Sequence, residues 1–185
     1  ALRRLSQGIF NIKNAMTILK IYTFPDSMLR NKAEDVTVFD EELSKTTDSM
    51  FETMYLSSGI GLAAIQVGIL KQIVVIDLKC GEEDKNLREP NVFINPKIVE
   101  RSGTTTSEEG CLSVIDFRGD IQRSEKITVE YQGVSGEHKL MNAEGMMSIC
   151  LQHEMDHLEG ILFIDYLSKL KRSMIIKKLS KLKSN

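Results

Sequence analysis

The chain has 185 residues, of which 42% are hydrophobic and 27% charged, with 12 Gly, 3 Pro and no Trp. That length favours one domain burying about 70% of its unfolded surface, and the apolar content excludes low-complexity disorder and collagen-like repeats. A formal net charge of −2 argues against wholesale nucleic-acid binding, and no apolar run approaches the roughly 18–20 residues of a membrane span, so neither DNA nor a membrane is an expected partner.

The charge is unevenly placed. Residues 1–17 form a basic flank, with Arg3, Arg4 and Lys13 and no acid before Asp26. This composition reads as the remnant of an organelle-targeting region or as a plain basic flank, and it places an organelle stroma or matrix first (plastid before mitochondrion) and a bacterial cytoplasm second. Cys80, Cys111 and Cys150 are odd in number and far apart, a poor disulfide framework that points to a reducing compartment.

Residues 18–24 read as an extended segment ended by Pro25-Asp26. Asp40 is an N-cap for a helix over 40–56 that places Leu43, Met50, Phe51 and Met54 on one side and stops at Ser57-Ser58-Gly59. Residues 72–78 are β-branched and read as a buried strand, residues 79–91 as a surface loop, and 92–94, 97–101 and 126–132 as further strands. A long helix is expected from Asn142 to Leu158 with Gly160 as its stop, and a last helix from Tyr166 to the C-terminus, with Leu167, Leu170, Met174 and Leu179 inward. Strands precede the main helices, which predicts α+β rather than a repeating βαβ plan.

The sharpest signal is His153-Glu154-Met155-Asp156-His157. Two His four apart on a helix lie one turn apart on one face, so both imidazoles reach a single cation, and the Glu between them can take a proton from a water on it. A catalytic site of this kind needs a third protein ligand and an open position. Metzincins place a third His where this chain has Phe163, and no Glu follows Glu159 to serve as in thermolysin-type peptidases. Cys111, after Gly110 in Glu108-Glu109-Gly110-Cys111-Leu112-Ser113, is the soft ligand that remains, against the plainer reading of a small buried apolar residue. Cys150 is its rival, but it belongs to an apolar stripe of Met146, Ile149 and Cys150 that packs core or edges a pocket beside the metal. A third segment, Gly59-Ile60-Gly61-Leu62-Ala63-Ala64-Ile65-Gln66, allows close backbone approach and supplies in Gln66 a neutral amide donor suited to an oxyanion.

These three segments together resemble the peptide deformylases, a family marked by GxGxAAxQ, EGCLS and QHExDHLxG, and every fixed position is filled here. The likeness runs from about residue 19 to 170. It implies one α+β catalytic domain over 18–170, with mixed or antiparallel sheets around a central HExxH helix, extended by the basic helix 166–185. It implies Cys111, His153 and His157 as metal ligands, Glu154 as general base and acid, and Gln66 with the Leu112 N–H as oxyanion donors. Ile60, Gly61 and Gly110 would hold the peptide in extended form and Arg118 would lie near its tail, while Met146, Ile149 and Cys150 would accommodate the methionine chain. Ile115 stands where many bacterial members carry Pro, which puts the loop that carries Arg118 in question. The implied substrate is a nascent polypeptide bearing N-formyl-methionine, and the implied cofactor is one divalent ion, Fe²⁺ as the working metal, at a site that also suits Zn²⁺, Co²⁺ or Ni²⁺. The basic C-terminal helix is either a solvated amphipathic helix or, by the same resemblance, a contact to the ribosome. A metallopeptidase and a closed structural zinc module are the competing classes. The first lacks its usual third ligand, and the second would need a fourth and leave Glu154 without a task.

Overall fold

The computed structural model describes residues 17–81 and 85–182; the basic flank read over 1–17 lies outside them except for Thr17. Asp40 caps the first helix as its residue type predicts. Its carboxylate accepts the Leu43 N–H at the start of α1 (Glu41–Leu56), and Glu41 and Glu42 in the first turn complement the helix dipole. Leu43, Met50, Phe51 and Met54 are all buried.

The strands are β1 (Gly61–Ala63), β2 (Ile73–Ile76), β3 (Asn91–Ser102), β4 (Thr105–Cys111), β5 (Val114–Arg123), β6 (Lys126–Gln132) and β7 (His138–Glu144). Five form an antiparallel sheet in the order β1-β2-β3-β6-β7, and β4-β5 form a separate antiparallel hairpin. The fold is α+β as expected. Helix α2 (Gly145–Leu158) lies on one face of the sheet and α1 on the other. Ala63, Val74, Ile76 and Phe93 pack towards Leu151 and Leu158 of α2, while Leu62, Ile73, Val75 and Ile94 pack towards Met50 and Met54 of α1. Coverage on both faces is why β2 reads as an unbroken apolar run rather than an alternating one.

Three expected element boundaries are corrected. The two strands read over 92–94 and 97–101 are one, β3, because Asn95 enters the left-handed region (φ 50) and makes a bulge that accommodates Pro96. The Asn95 side chain holds that bulge, accepting the Val36 N–H at 2.8 Å and donating to Val36 O and Gln132 Oε1. The long helix starts at Gly145 rather than Asn142, since residues 142–144 complete β7 opposite β6 and Gly145 (φ 58) makes the turn. The last helix, α3 (Lys169–Leu182), begins after a 3₁₀ turn at Phe163–Tyr166.

A third core lies between the β4-β5 hairpin and the C-terminal segment, built by Val114, Ile121, Phe163, Ile164, Ile175 and Leu179 with Leu29. Helix α3 buries Ile175 and Leu179, whereas Leu170 and Met174 are 73% and 53% exposed, against the inward packing expected of them. Consecutive helical residues point about 100° apart, so seating the Ile175/Leu179 pair on the hairpin turns the Leu170/Met174 pair to solvent.

Candidate metal centre

Helix α2 delivers both imidazoles from its buried face: His153 is 8% exposed and His157 fully buried. Cys111 ends β4, just before the tight turn at Leu112 and Ser113, and that turn brings its thiol to the helix. The ligand atoms of Cys111, His153 and His157 lie within 4.8 Å of one another, and Cys111 Sγ is 3.2 Å from His157 Nε2. This donor set, one sulfur and two nitrogens on three sides of a small space, fits a single borderline-soft divalent cation with a position left open for water. Cys150, the rival ligand, points elsewhere. It is buried against Gly61, and burial raises its thiol pKa well above the ordinary value.

The charges around the three donors suit a cation. Glu109 Oε2 lies 2.8 Å from His153 Nδ1, which leaves the other ring nitrogen for a metal. Burial opposes charge on His153, yet Cys111 and Glu109 outweigh it and raise its pKa. His157 is held neutral by burial and by its neighbour His153. Glu154 stands beside them with Oε2 unpartnered among the described residues, and burial lifts its carboxyl to about 7 against the pull of His153.

Glu109 is itself fixed by Arg123, which donates through Nε at 2.7 Å and Nη2 at 2.9 Å and reaches Asp156 of α2 through Nη1 at 2.6 Å. The Arg123 guanidinium lies 4.9 Å from the centre of the Tyr166 ring. Sequence reading missed this cluster. Glu109 falls inside the EGCLS segment, but Arg123 is one basic residue among many and carries no local sign of its burial. Removing one member of a buried ionic cluster strands the others, so Arg123→Ala is expected to cost about 3–5 kcal/mol of stability. Denaturant unfolding, monitored at constant metal loading, checks this. A loss below about 1 kcal/mol would contradict the reading.

A cleft of about 760 Å³ opens at Cys111 and His153. Of the residues singled out from the sequence, Ile60, Gly61, Gln66, Gly110, Cys111, Leu112, Arg118, Met146, Ile149, Cys150, His153 and Glu154 line it, while His157 is fully buried and does not. Gly61 is required for steric reasons: a Cβ there would stand 2.6 Å from Glu154 Oε1 and 2.8 Å from Cys150 Sγ. The Gln66 amide is held at both ends. Its Oε1 accepts the Ala63 N–H at 2.8 Å, while Nε2 donates to Ser113 Oγ at 3.1 Å and faces Cys111 Sγ at 3.6 Å. Arg118 is exposed at the mouth, 3.7 Å from Glu108, and the loop expected to carry it is the start of β5, where Ile115 is 53% exposed and Asp116 takes φ 66 at a shift in the β4-β5 register.

Two imidazoles and a cysteine sulfur grouped beside an open cleft, with a buried Glu on the same helix whose Oε2 has no partner among the described residues, define a single-metal hydrolase of the HExxH class. The family model for polypeptide deformylase matches residues 18–173. A peptide deformylase of Pelagibacter ubique is 48% identical over 171 residues, covering 92% of this chain and 98% of that protein, and one of Zymomonas mobilis is 50% identical over 168 residues, covering 90% and 95%. The crystal structure of peptide deformylase from Ehrlichia chaffeensis in complex with actinonin superposes with a TM-score of 0.85 at 41% identity, covering 92% of this chain and all of that one (100%). The chain belongs to the peptide deformylase family, metal-dependent enzymes that remove the formyl group from the N-terminal methionine of nascent polypeptides and release formate.

Proposed function

We propose that this chain deformylates nascent formyl-methionyl polypeptides at one divalent ion, Fe²⁺ in its working state, held by Cys111, His153 and His157. When bound, such an ion supplies Lewis acidity, making water a nucleophile near neutral pH and polarising a carbonyl. The chain's own groups do the rest. Glu154 takes a proton from the attacking water and returns it to the departing amine nitrogen, a task suited to a carboxyl whose pKa lies near working pH. The Gln66 amide and the Leu112 N–H donate to the oxyanion that develops as the formyl carbon becomes tetrahedral. Collapse breaks the C–N bond and leaves formate and a free amino terminus.

The peptide lies between two strand edges. Among the described residues β1 pairs with β2 alone and β4 with β5 alone, so Gly61 on one side and Gly110 on the other lie on open strand edges that can meet an extended chain, while Ile60 lines the cleft with its carbonyl already accepting the Asp77 N–H at 2.9 Å. Met146, Ile149 and Cys150 form an apolar wall for the methionine side chain, and Arg118 at the mouth meets the peptide tail. The observation that carries the reading is the convergence of three ligand atoms within 4.8 Å beside this cleft, next to a buried carboxyl whose Oε2 has no partner among the described residues. Protein purified without oxygen, with its metal content measured, is expected to release formate from formyl-Met-Ala-Ser in proportion to bound iron. Appearance of a new internal peptide terminus without formate would establish a peptidase instead.

Helix α3 bears Lys169, Lys171, Arg172, Lys177, Lys178 and Lys181 with no acidic residue, and we place the ribosome at this surface. Removing the residues after Leu170 is expected to weaken ribosome binding in a salt-dependent way, as measured by co-sedimentation; binding that persists at every salt concentration rules this out. The relatives named above are bacterial, which favours a bacterial cytoplasm over the organelle that the basic flank puts first. Residues 18–170 act as one catalytic unit, since all three cores draw on both halves of that span.

A further inference from the structure

Before the first helix, the extended residues 19–24 cross between the two halves of the site. The Tyr22 N–H donates to the carbonyl of Gln66 at 2.7 Å, and the Phe24 N–H donates to the carbonyl of Ser113, also at 2.7 Å. One acceptor belongs to the segment that carries the Gln66 amide, and the other to the turn that carries the Leu112 N–H. The circuit is closed on the far side by Gln66 Nε2 on Ser113 Oγ at 3.1 Å. The side chains of the crossing residues are divided in the same way. Leu19 and Ile21 pack into the core under α1, whereas Tyr22 and Phe24 pack into the core under the β4-β5 hairpin. The Leu19 N–H is anchored on Thr53 Oγ1 of α1 at 2.9 Å, and the Tyr22 ring lies against Gly68, where a Cβ would stand 2.8 Å from it.

Among the described residues the five-stranded sheet and the hairpin share no strand pairing. The separation of Gln66 from Leu112 is therefore set by whatever ties one body to the other, and a donor misplaced by about 1 Å loses much of its worth to a developing charge. We infer that residues 22–24 act as a positioning strap, whose two backbone hydrogen bonds hold the two oxyanion donors at their working distance. This rests on the assignment of Gln66 and Leu112 as those donors. The strap touches neither substrate nor metal and works only through the segments it joins.

Side-chain substitution would disturb packing, so the test removes the donor N–H groups and keeps the side chains; the ester at Phe24 also weakens the Thr23 carbonyl that accepts the Asp26 N–H at 3.0 Å, so each ester is also measured singly. In the full chain, Tyr22 and Phe24 are each replaced by their α-hydroxy acid analogues, which exchange the N–H for an ester oxygen and keep the ring. The same exchange at Thr23, whose N–H donates to no described group, is the control. Replacement at both positions is expected to lower kcat for formyl-Met-Ala-Ser about tenfold, with KM changed less than twofold and metal content unchanged, while the Thr23 ester behaves as the parent. In a Gln66→Ala background the double ester is expected to add less than a twofold loss, because the group it positions is gone. An unchanged kcat, a fall in kcat that tracks metal loss, or a full tenfold loss on top of Gln66→Ala overturns the strap. If Gln66→Ala alone leaves kcat intact, the donor assignment itself fails, and the two failures are told apart.

Discussion

Glu154→Ala is expected to reduce formate release by about 10²–10⁴-fold while the ion stays bound, the range that a positioned general acid–base group contributes. Three features make this effect large. Glu154 is 5% exposed, so bulk water reaches it poorly and no buffer species replaces it easily. Its Oε2 has no partner among the described residues, so that oxygen is open to the reacting water while the Ala63 backbone bonds to the same carboxyl. The alternative bases are committed: Glu109 is bound to Arg123 and His153, and both histidines face the cation site. Formate measured by a coupled dehydrogenase assay, with metal content determined on the same preparation, checks the result. Activity within tenfold of the parent would remove Glu154 from its role. Loss of activity with loss of metal would mean that the carboxylate supports the ion instead.

Cys111→Ala is expected to abolish both ion retention and turnover. Changes to groups that merely orient metal ligands commonly cost about 10–100-fold in affinity, so deletion of a ligand itself is expected to weaken binding by more than about 100-fold. The structure argues against rescue by another sulfur. Cys150 lies across the site against Gly61, with burial raising its pKa, and Cys80 is not among the grouped donors. The fold is expected to survive, because Cys111 sits at the margin of the third core rather than within it. Dialysis of parent and variant against the same chelator, followed by metal analysis and circular dichroism, separates the outcomes. A folded Cys111→Ala protein that keeps a stoichiometric ion would place the third ligand elsewhere.

Both expectations stand on residues that the amino-acid sequence itself marks as candidates. Spacing alone puts His153 and His157 on one face of a helix, because α-helical geometry is local and four residues make about one turn. Asp40 as the cap of α1, and the buried character of residues 73–76, are equally local facts of residue type and order. The hairpin was not legible. β4, with the sequence TTSEEGC, has no alternating apolar residue to mark it as a strand, and it exists because β5 pairs with it from Thr105 to Cys111. β7 shows only a weak pattern, with Leu140 63% exposed, and is set by its register with β6.

The amino-acid order by itself marked His153, Glu154 and His157 as candidates for the chemistry, because HExxH on a helix is a short-range arrangement. Tertiary structure alone decided which cysteine faces the histidines, which acid steadies His153, and which pair of α3 residues is buried. It also decided how the two bodies of the site are tied, through bonds from residues 22 and 24 to residues 66 and 113. The reason is one of range. A helix turn is specified within a few residues, whereas Arg123 meets Glu109 across 14 positions through the pairing of β4 with β5, and meets Asp156 of α2 across 33.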